Sequence, residues 1–220
     1  METTLPSTVV EKELVKKALH WRYATKVFDA YKLVAEDEFK ILMEALRLSP
    51  SSIDMQPWKF VMIRNKAMRK QMVELSMQQN QLAEASHLIL LCSLNTIDAN
   101  YIDRLIIREK EQSAGLSTFE QYKTLALSYI NSKSKEQLRE WMGEQVYIAL
   151  GFLLATCAML HIDACPIEGF DHARVNKLLG LHEKGIECRV AVAIGYRSQK
   201  DQHSRDKKLR WPKEEIFLTI

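Results

Sequence analysis

Apolar and polar positions follow two periods, one helical and one extended, interleaved along the whole chain. Thr8-Val-Val-Glu11 has the spacing of a capping box, and Val10, Leu14, Val15, Ala18 and Leu19 form a helical stripe behind it. Residues 26–32 read as a loop. Phe39, Leu42, Met43 and Leu46 recur at i, i+3, i+4 and i+7 and predict a second helix. Pro50 ends it, because proline disfavours the helical conformation in the residue before it. Residues 59–63 predict a strand and residues 66–77 a helix. His87 to Cys92 is a short, continuous apolar run, the pattern of a strand buried on both faces.

Residues 97–131 read as helical but weakly patterned. Ser134-Lys-Glu-Gln137 is a second capping box and opens a long helix reaching Leu160. Its stretch from Val146 to Leu160 is apolar on every side, which predicts burial all round, in a core or an oligomer interface. His161 to Cys165 reads as short and extended. Asp171 is placed to cap a helix ending at Leu179, with Gly180 as the left-handed residue beyond it. Cys188 to Ile194 is the clearest strand, and the tail after Gly195 is polar and basic. Strands mixed among many helices, without repeats or linkers, predict one α+β or α/β domain over 1–220 in which helix dominates.

At 220 residues the chain is long enough to bury roughly 70% of its unfolded surface. A composition 47% hydrophobic and 27% charged excludes dominant disorder. The net charge of +3 is too small to argue for nucleic acid without a basic stripe, and suits a small anionic ligand. Cys92, Cys157, Cys165 and Cys188 form no CxxC pair, so a reduced, cytoplasmic interior is expected. The first residues lack the basic and apolar regions of a secretory leader. The apolar run 146–160 falls short of the ~20 residues that span a bilayer, so no membrane association is expected.

No two of the seven glycines are separated by a single residue, which excludes a GxGxxG dinucleotide turn, and none is followed by the lysine that a Walker A loop requires. Neither a GxSxG elbow nor an HExxH pair is present. His161, Asp163 and Cys165 alternate and would share one strand face, as metal ligands would. A buried cysteine beside a helix-terminal histidine and a capping aspartate is the plainer reading, and no metal is expected. Trp58, Trp141 and Trp211 suit packing or ring stacking. Lys208 and Arg210, two apart, would point to one side about 7 Å apart, as a phosphate clamp or as a solvated tail. Arg22, Thr25 and Lys26 close the first helix. The loop from Ser49 to Trp58 offers hydroxyls and backbone N–H groups to a polar ligand or is simply a connection. Pro166-Ile-Glu-Gly-Phe170 is a turn in which Gly169 permits close backbone approach.

Five blocks together resemble the FMN-dependent nitroreductase family, in its bacterial oxygen-insensitive NAD(P)H nitroreductase and dihydropteridine reductase branch. They are Arg22-Tyr-Ala-Thr-Lys-Val-Phe-Asp29, Ser49 to Phe60, Glu84-Ala-Ser-His87, Pro166 to Phe170 and Lys208-Leu-Arg-Trp-Pro212. The resemblance implies an α+β fold with a central mixed, mainly antiparallel sheet flanked by many helices. It also implies an intertwined homodimer with FMN at the subunit interface. Residues 95–135 would form a variable helical lid, and 196–220 an extension contributing to the FMN site and the dimer. Arg22, Lys208 and Arg210 would meet the FMN phosphate, with Tyr23 and Ala24 beside them. Pro50, Ser51, Ser52 and Asp54 would lie along the flavin and ribityl chain. Pro166 and Ile167 would pack at the ring, and the N–H groups of Glu168 and Gly169 would face N5 and O4. Gln78 and Gln81 would border the pyrimidine edge, and Lys26 would sit near N1 and O2, where a cation favours the reduced flavin. Lys26 and Glu168 are the implied catalytic positions, with the flavin carrying the chemistry.

The implied activity is ping-pong hydride transfer from NAD(P)H through flavin N5 to a small-molecule acceptor, a nitroaromatic or a quinone. A flavin reductase of an enone, a pteridine or a halogenated ring, and a flavin-binding protein without rapid turnover, are the alternatives. Three pairs of residues depart from the family pattern: Tyr23-Ala24 replaces histidine-serine, Gln78 and Gln81 replace asparagine and lysine, and Ile53-Asp54 replaces threonine-asparagine.

Overall fold

The computed structural model describes residues 11–112 and 119–220. The helices are α1 (Lys12–Trp21), α2 (Glu36–Arg47), α3 (Lys66–Glu74), α4 (Gln81–Glu84), α5 (Ala99–Gln112), α6 (Phe119–Asn131), α7 (Lys135–Met159), α8 (His172–Leu178) and α9 (Lys213–Ile216). The strands are β1 (Trp58–Met62), β2 (His87–Leu94), β3 (Asp163–Ile167) and β4 (Ile186–Gly195).

The strands form one sheet in the order β1-β2-β4-β3, and every ladder is antiparallel. The expectation of a mixed sheet is corrected to this extent: the parallel component among the described residues is a single bridge between Ala24 and Ala164. Central β2 and β4 are buried almost throughout. Their side chains alternate between two cores, as the period-two geometry of a strand requires. Leu88, Leu90 and Cys92 face one core with Met72, Leu82, Ile102 and Met142. Ile89 and Leu91 face the other with Phe39, Leu42, Val146 and Leu153. Cover on both faces is why β2 reads as an unbroken apolar run.

Local signals carried over well. Ser134 and Gln137 cap each other reciprocally at the start of α7. Asp171 accepts from Arg174 N–H, and Gly180 is left-handed at φ 58°. The first capping box falls on Thr8, outside the described residues, as does Val10; Glu11 precedes α1 without a side-chain cap. Within one chain, 146–160 is buried along one face only, which leaves the interface alternative for the other. Val146, Ala149, Leu153 and Cys157 point inward, while Tyr147, Ile148, Phe152 and Met159 lie exposed along the opposite face. Helix α7 also runs 25 residues, and its most apolar 18 (mean hydropathy 1.4, half buried in the fold) meet the length and composition of a membrane span. β3 runs further than predicted and includes Pro166. An edge strand tolerates proline because its outward N–H has no ladder partner to lose.

Candidate active site

The segment after α1 lies against the outer edge of the sheet. Ala24 bridges Ala164 on β3, and Phe28 bridges Arg197 just past β4. Thr25 is buried and donates from Oγ1 to Asp163 at 3.1 Å. Arg197 pairs with the same buried carboxylate at 2.6 Å, and its guanidinium centre lies 4.2 Å from the Trp21 ring and 4.5 Å from the Tyr23 ring. His161 stacks on the other aromatic surface of this corner, 5.0 Å from Trp21. Asp163 and His161 thus have partners of their own, and among the described residues no three His, Cys, Asp or Glu side chains are grouped to hold a metal.

Asp201, almost fully buried, binds this segment to the C-terminal tail. Its Oδ2 accepts from Tyr23 Oη at 2.9 Å, Lys26 N–H at 2.8 Å and Val27 N–H at 3.1 Å; Oδ1 accepts from His203 N–H. Burial alone would raise this carboxyl, but the hydrogen bonds outweigh it and hold the group below the usual aspartate range. Tyr23 moves the other way, up to about 12, through burial and its bond to Asp201.

The tail then delivers Lys208 to the end of α1, where Nζ donates to the carbonyl of His20. The Lys208 ammonium is held below its ordinary pKa first by burial and then by the positive charges of Arg22, Arg210 and Arg197. The three cations singled out in the sequence therefore converge from opposite ends of the chain. Among the described residues no carboxylate forms an ion pair with Arg22, Lys208 or Arg210. Clustered like charges without a counter-charge are a site for an anion.

Pro166, half-buried, and buried Ile167 end β3, and Glu168 and Gly169 follow. Burial raises the Cys165 thiol, and the Lys26 cation acts against that rise, which places Lys26 beside β3. The backbone N–H groups of Glu168 and Gly169 have no hydrogen-bond partner among the described residues. The Glu168 carboxylate accepts from Tyr147 Oη at 2.7 Å, and burial and this bond both raise the Tyr147 hydroxyl. Gln79 donates to the Gly169 carbonyl at 2.9 Å, so the turn holding Gln78 sits against the Pro166–Gly169 segment. Met77 and Gln78 are left-handed (φ 53° and 58°); Gln78 is exposed and Gln81 buried.

The 49–57 loop lies elsewhere, between α2 and α5, and no hydrogen bond among the described residues links it with the cation cluster. Ser51 Oγ accepts from Gln56 N–H at 2.8 Å, and Ser52 N–H donates to Gln145 of α7 at 2.8 Å. Ile53, Asp54 and Gln56 all have positive φ (54°, 50° and 45°). This costs a β-branched residue most, and strain of this kind persists only where surroundings enforce it. Here two tyrosines enforce it. Tyr101 of α5 donates to the carbonyls of Met55 and Gln56 at 2.8 and 3.0 Å, and Tyr122 of α6 to that of Ile53 at 3.0 Å. Burial raises the Tyr101 hydroxyl to about 12. Asp201, Gln145, Tyr101 and Tyr122 carry no signal in a lone sequence, because each acts on backbone or side chains far along the chain. Of the tryptophans, Trp58 and Trp141 pack in the cores while Trp211 is exposed.

An antiparallel sheet enclosed by helices thus carries at its edge a cluster of cations without a carboxylate partner among the described residues, the setting of an α+β protein that holds an anion. The Nitroreductase family model matches residues 19–196. A Staphylococcus epidermidis protein named "Putative NAD(P)H nitroreductase" is 34% identical over 212 residues, covering 92% of this chain and 95% of that protein. A Bacillus subtilis crystal structure described as a nitroreductase superposes with a TM-score of 0.84 at 15% identity, covering 96% and 100% of the two chains. An Exiguobacterium sibiricum structure solved in complex with FMN has a TM-score of 0.78 at 18% identity and covers 98% and 100%. The chain belongs to the nitroreductase family of oxidoreductases and has its α+β fold.

Proposed function

We propose that the protein is an FMN-dependent oxidoreductase that passes reducing equivalents from NADH or NADPH to nitroaromatics or quinones by a ping-pong mechanism, as a cytoplasmic homodimer. The observation that carries this reading is the convergence of Arg22, Lys208 and Arg210 without a counter-carboxylate, which suits the dianionic phosphate of FMN. The naming of the S. epidermidis relative and the FMN in the E. sibiricum structure support it.

Bound FMN would supply two-electron chemistry. Arg22, Lys208 and Arg210 would hold the phosphate. Asp201 fixes the backbone of Lys26, so that this exposed cation stands ready for the negative charge that reduction leaves on the pyrimidine side. The free N–H groups of Glu168 and Gly169 would donate to the ring edge, and Pro166 presents an apolar surface with no competing donor. Pro50, Ser51, Ser52 and Asp54 lie away from this cluster within one chain, so a second copy would bring them to it. Leu14, Leu19, Ile148 and Phe152 are exposed apolar side chains that such a partner would cover.

The visible absorbance of the purified protein, followed by anaerobic addition of NADH and then NADPH, tests the proposal. Flavin bands that bleach with either nucleotide are expected. Bands that persist would remove the oxidoreductase chemistry, and no bands after adding FMN would remove the cofactor. Steady-state rates on nitroaromatics, quinones and an enone then separate the acceptors.

A further inference from the structure

Two adjoining cavities of about 350 and 440 Å³ open between the strained 49–57 loop and α5, and they share Gln56, Leu105 and Arg108. Both volumes fall within the ~300–1,000 Å³ usual for small-molecule sites. The first has Trp58 and Tyr101 in its wall with Lys59 and Arg104; the second adds Arg47, Pro50 and Asp54. Arg104 and Arg108 are one turn apart on α5, so their side chains project from the same helix face. Arg47 is neutralised by Glu44, at 2.5 Å. Among the described residues Lys59, Arg104 and Arg108 form no ion pair, and Arg104 instead lies over the Tyr101 ring at 5.8 Å. Asp54 is the acid in the wall. The cleft therefore combines the Tyr101 ring with cations that have no ion-pair partner among the described residues.

We infer that this cleft binds the adenosine half of the electron donor and selects the 2′-phosphorylated dinucleotide, NADPH, over NADH. The inference rests on the oxidoreductase reading, which supplies the nicotinamide donor. A phosphomonoester carries about −1.5 to −2 at pH 7, and planar guanidinium groups match its oxygens in pairs. NADH lacks that group and leaves the two arginines unused. Tyr101 has two roles, as the platform under Arg104 and as the donor that fixes the Gln56 carbonyl at the cavity wall.

The test uses the intact holoprotein and its Arg104→Gln/Arg108→Gln double variant. Calorimetry with adenosine 2′,5′-bisphosphate and with AMP measures the cleft without any turnover. About tenfold or greater preference for the bisphosphate is expected, lost in the variant and weakened by salt. In steady state, the variant's KM for NADPH should rise about tenfold or more, with that for NADH nearly constant and flavin content unchanged. Equal affinity for bisphosphate and AMP in the parent protein, or an unchanged nucleotide preference in the variant, would overturn the inference. A holoprotein that neither nucleotide reduces would instead sink the oxidoreductase reading, and the calorimetry would still decide whether the cleft takes a 2′-phosphate.

Discussion

Tyr23 donates its hydroxyl proton to Asp201 across 178 residues of sequence, at 2.9 Å, and so joins the two ends of the chain at the cation cluster. The same carboxylate receives the N–H groups of Lys26, Val27 and His203, so one aspartate sets the position of both segments that carry the clustered cations.

Removing that carboxylate should loosen the whole corner. Asp201→Ala leaves several buried donors unsatisfied and is expected to cost about 2–4 kcal/mol. Thermal unfolding should show a Tm lower by about 2–4 °C for each kcal/mol lost, and FMN should dissociate more readily.

The acid limb of stability should change too. The folded carboxyl of Asp201 titrates below its unfolded value, so its contribution is complete above the ordinary aspartate pKa of about 3.9 and is lost as pH falls through the lower folded value. Asp201→Asn should flatten this part of the stability–pH curve. Urea unfolding at a series of acidic pH values checks it, and a parallel offset at all pH values would refute the assignment.

Arg22→Ala and Lys208→Ala should each weaken FMN about 10- to 100-fold while leaving the fold intact, from the loss of one charge-assisted contact of about 1.5–3 kcal/mol. Fluorescence titration of the apoprotein with FMN measures this directly. Lost activity with full FMN occupancy in Arg22→Ala would contradict the phosphate role.

Tyr101→Phe and Tyr122→Phe keep the rings but remove the hydroxyls that hold the carbonyls of residues 53, 55 and 56. Each should cost about 1 kcal/mol, and the double variant more than either. The loop should then open more readily, seen as faster amide exchange at residues 53–57, with β2 and β4 unaffected.

Much of the scaffold was legible because its determinants are local. Ser134 and Gln137 cap each other within one turn, Asp171 caps α8, and Cys188–Ile194 reads as a strand by itself. The cations Arg22, Lys208 and Arg210 were legible as residue types, and the resemblance brought them together; the structure places them at one corner. What stayed hidden depends on distant partners. Asp201 looks like one more charge in a polar tail until its four donors are seen. Tyr101 and Tyr122 sit on weakly patterned helices, and their purpose lies in carbonyls they reach only after folding. The outward face of α7 illustrates the same limit: an apolar helix buried in its own core and one that leaves a stripe for a partner have the same sequence.

The left-handed backbone at Ile53, Asp54 and Gln56 is held by hydroxyls belonging to α5 and α6, outside the loop itself. Loop and helices therefore form one heritable unit. A graft that imports the 49–57 sequence into a relative without Tyr101 and Tyr122 would bring the residues but not their shape, and an exchange of the helices alone would reshape a loop in which no residue had been changed.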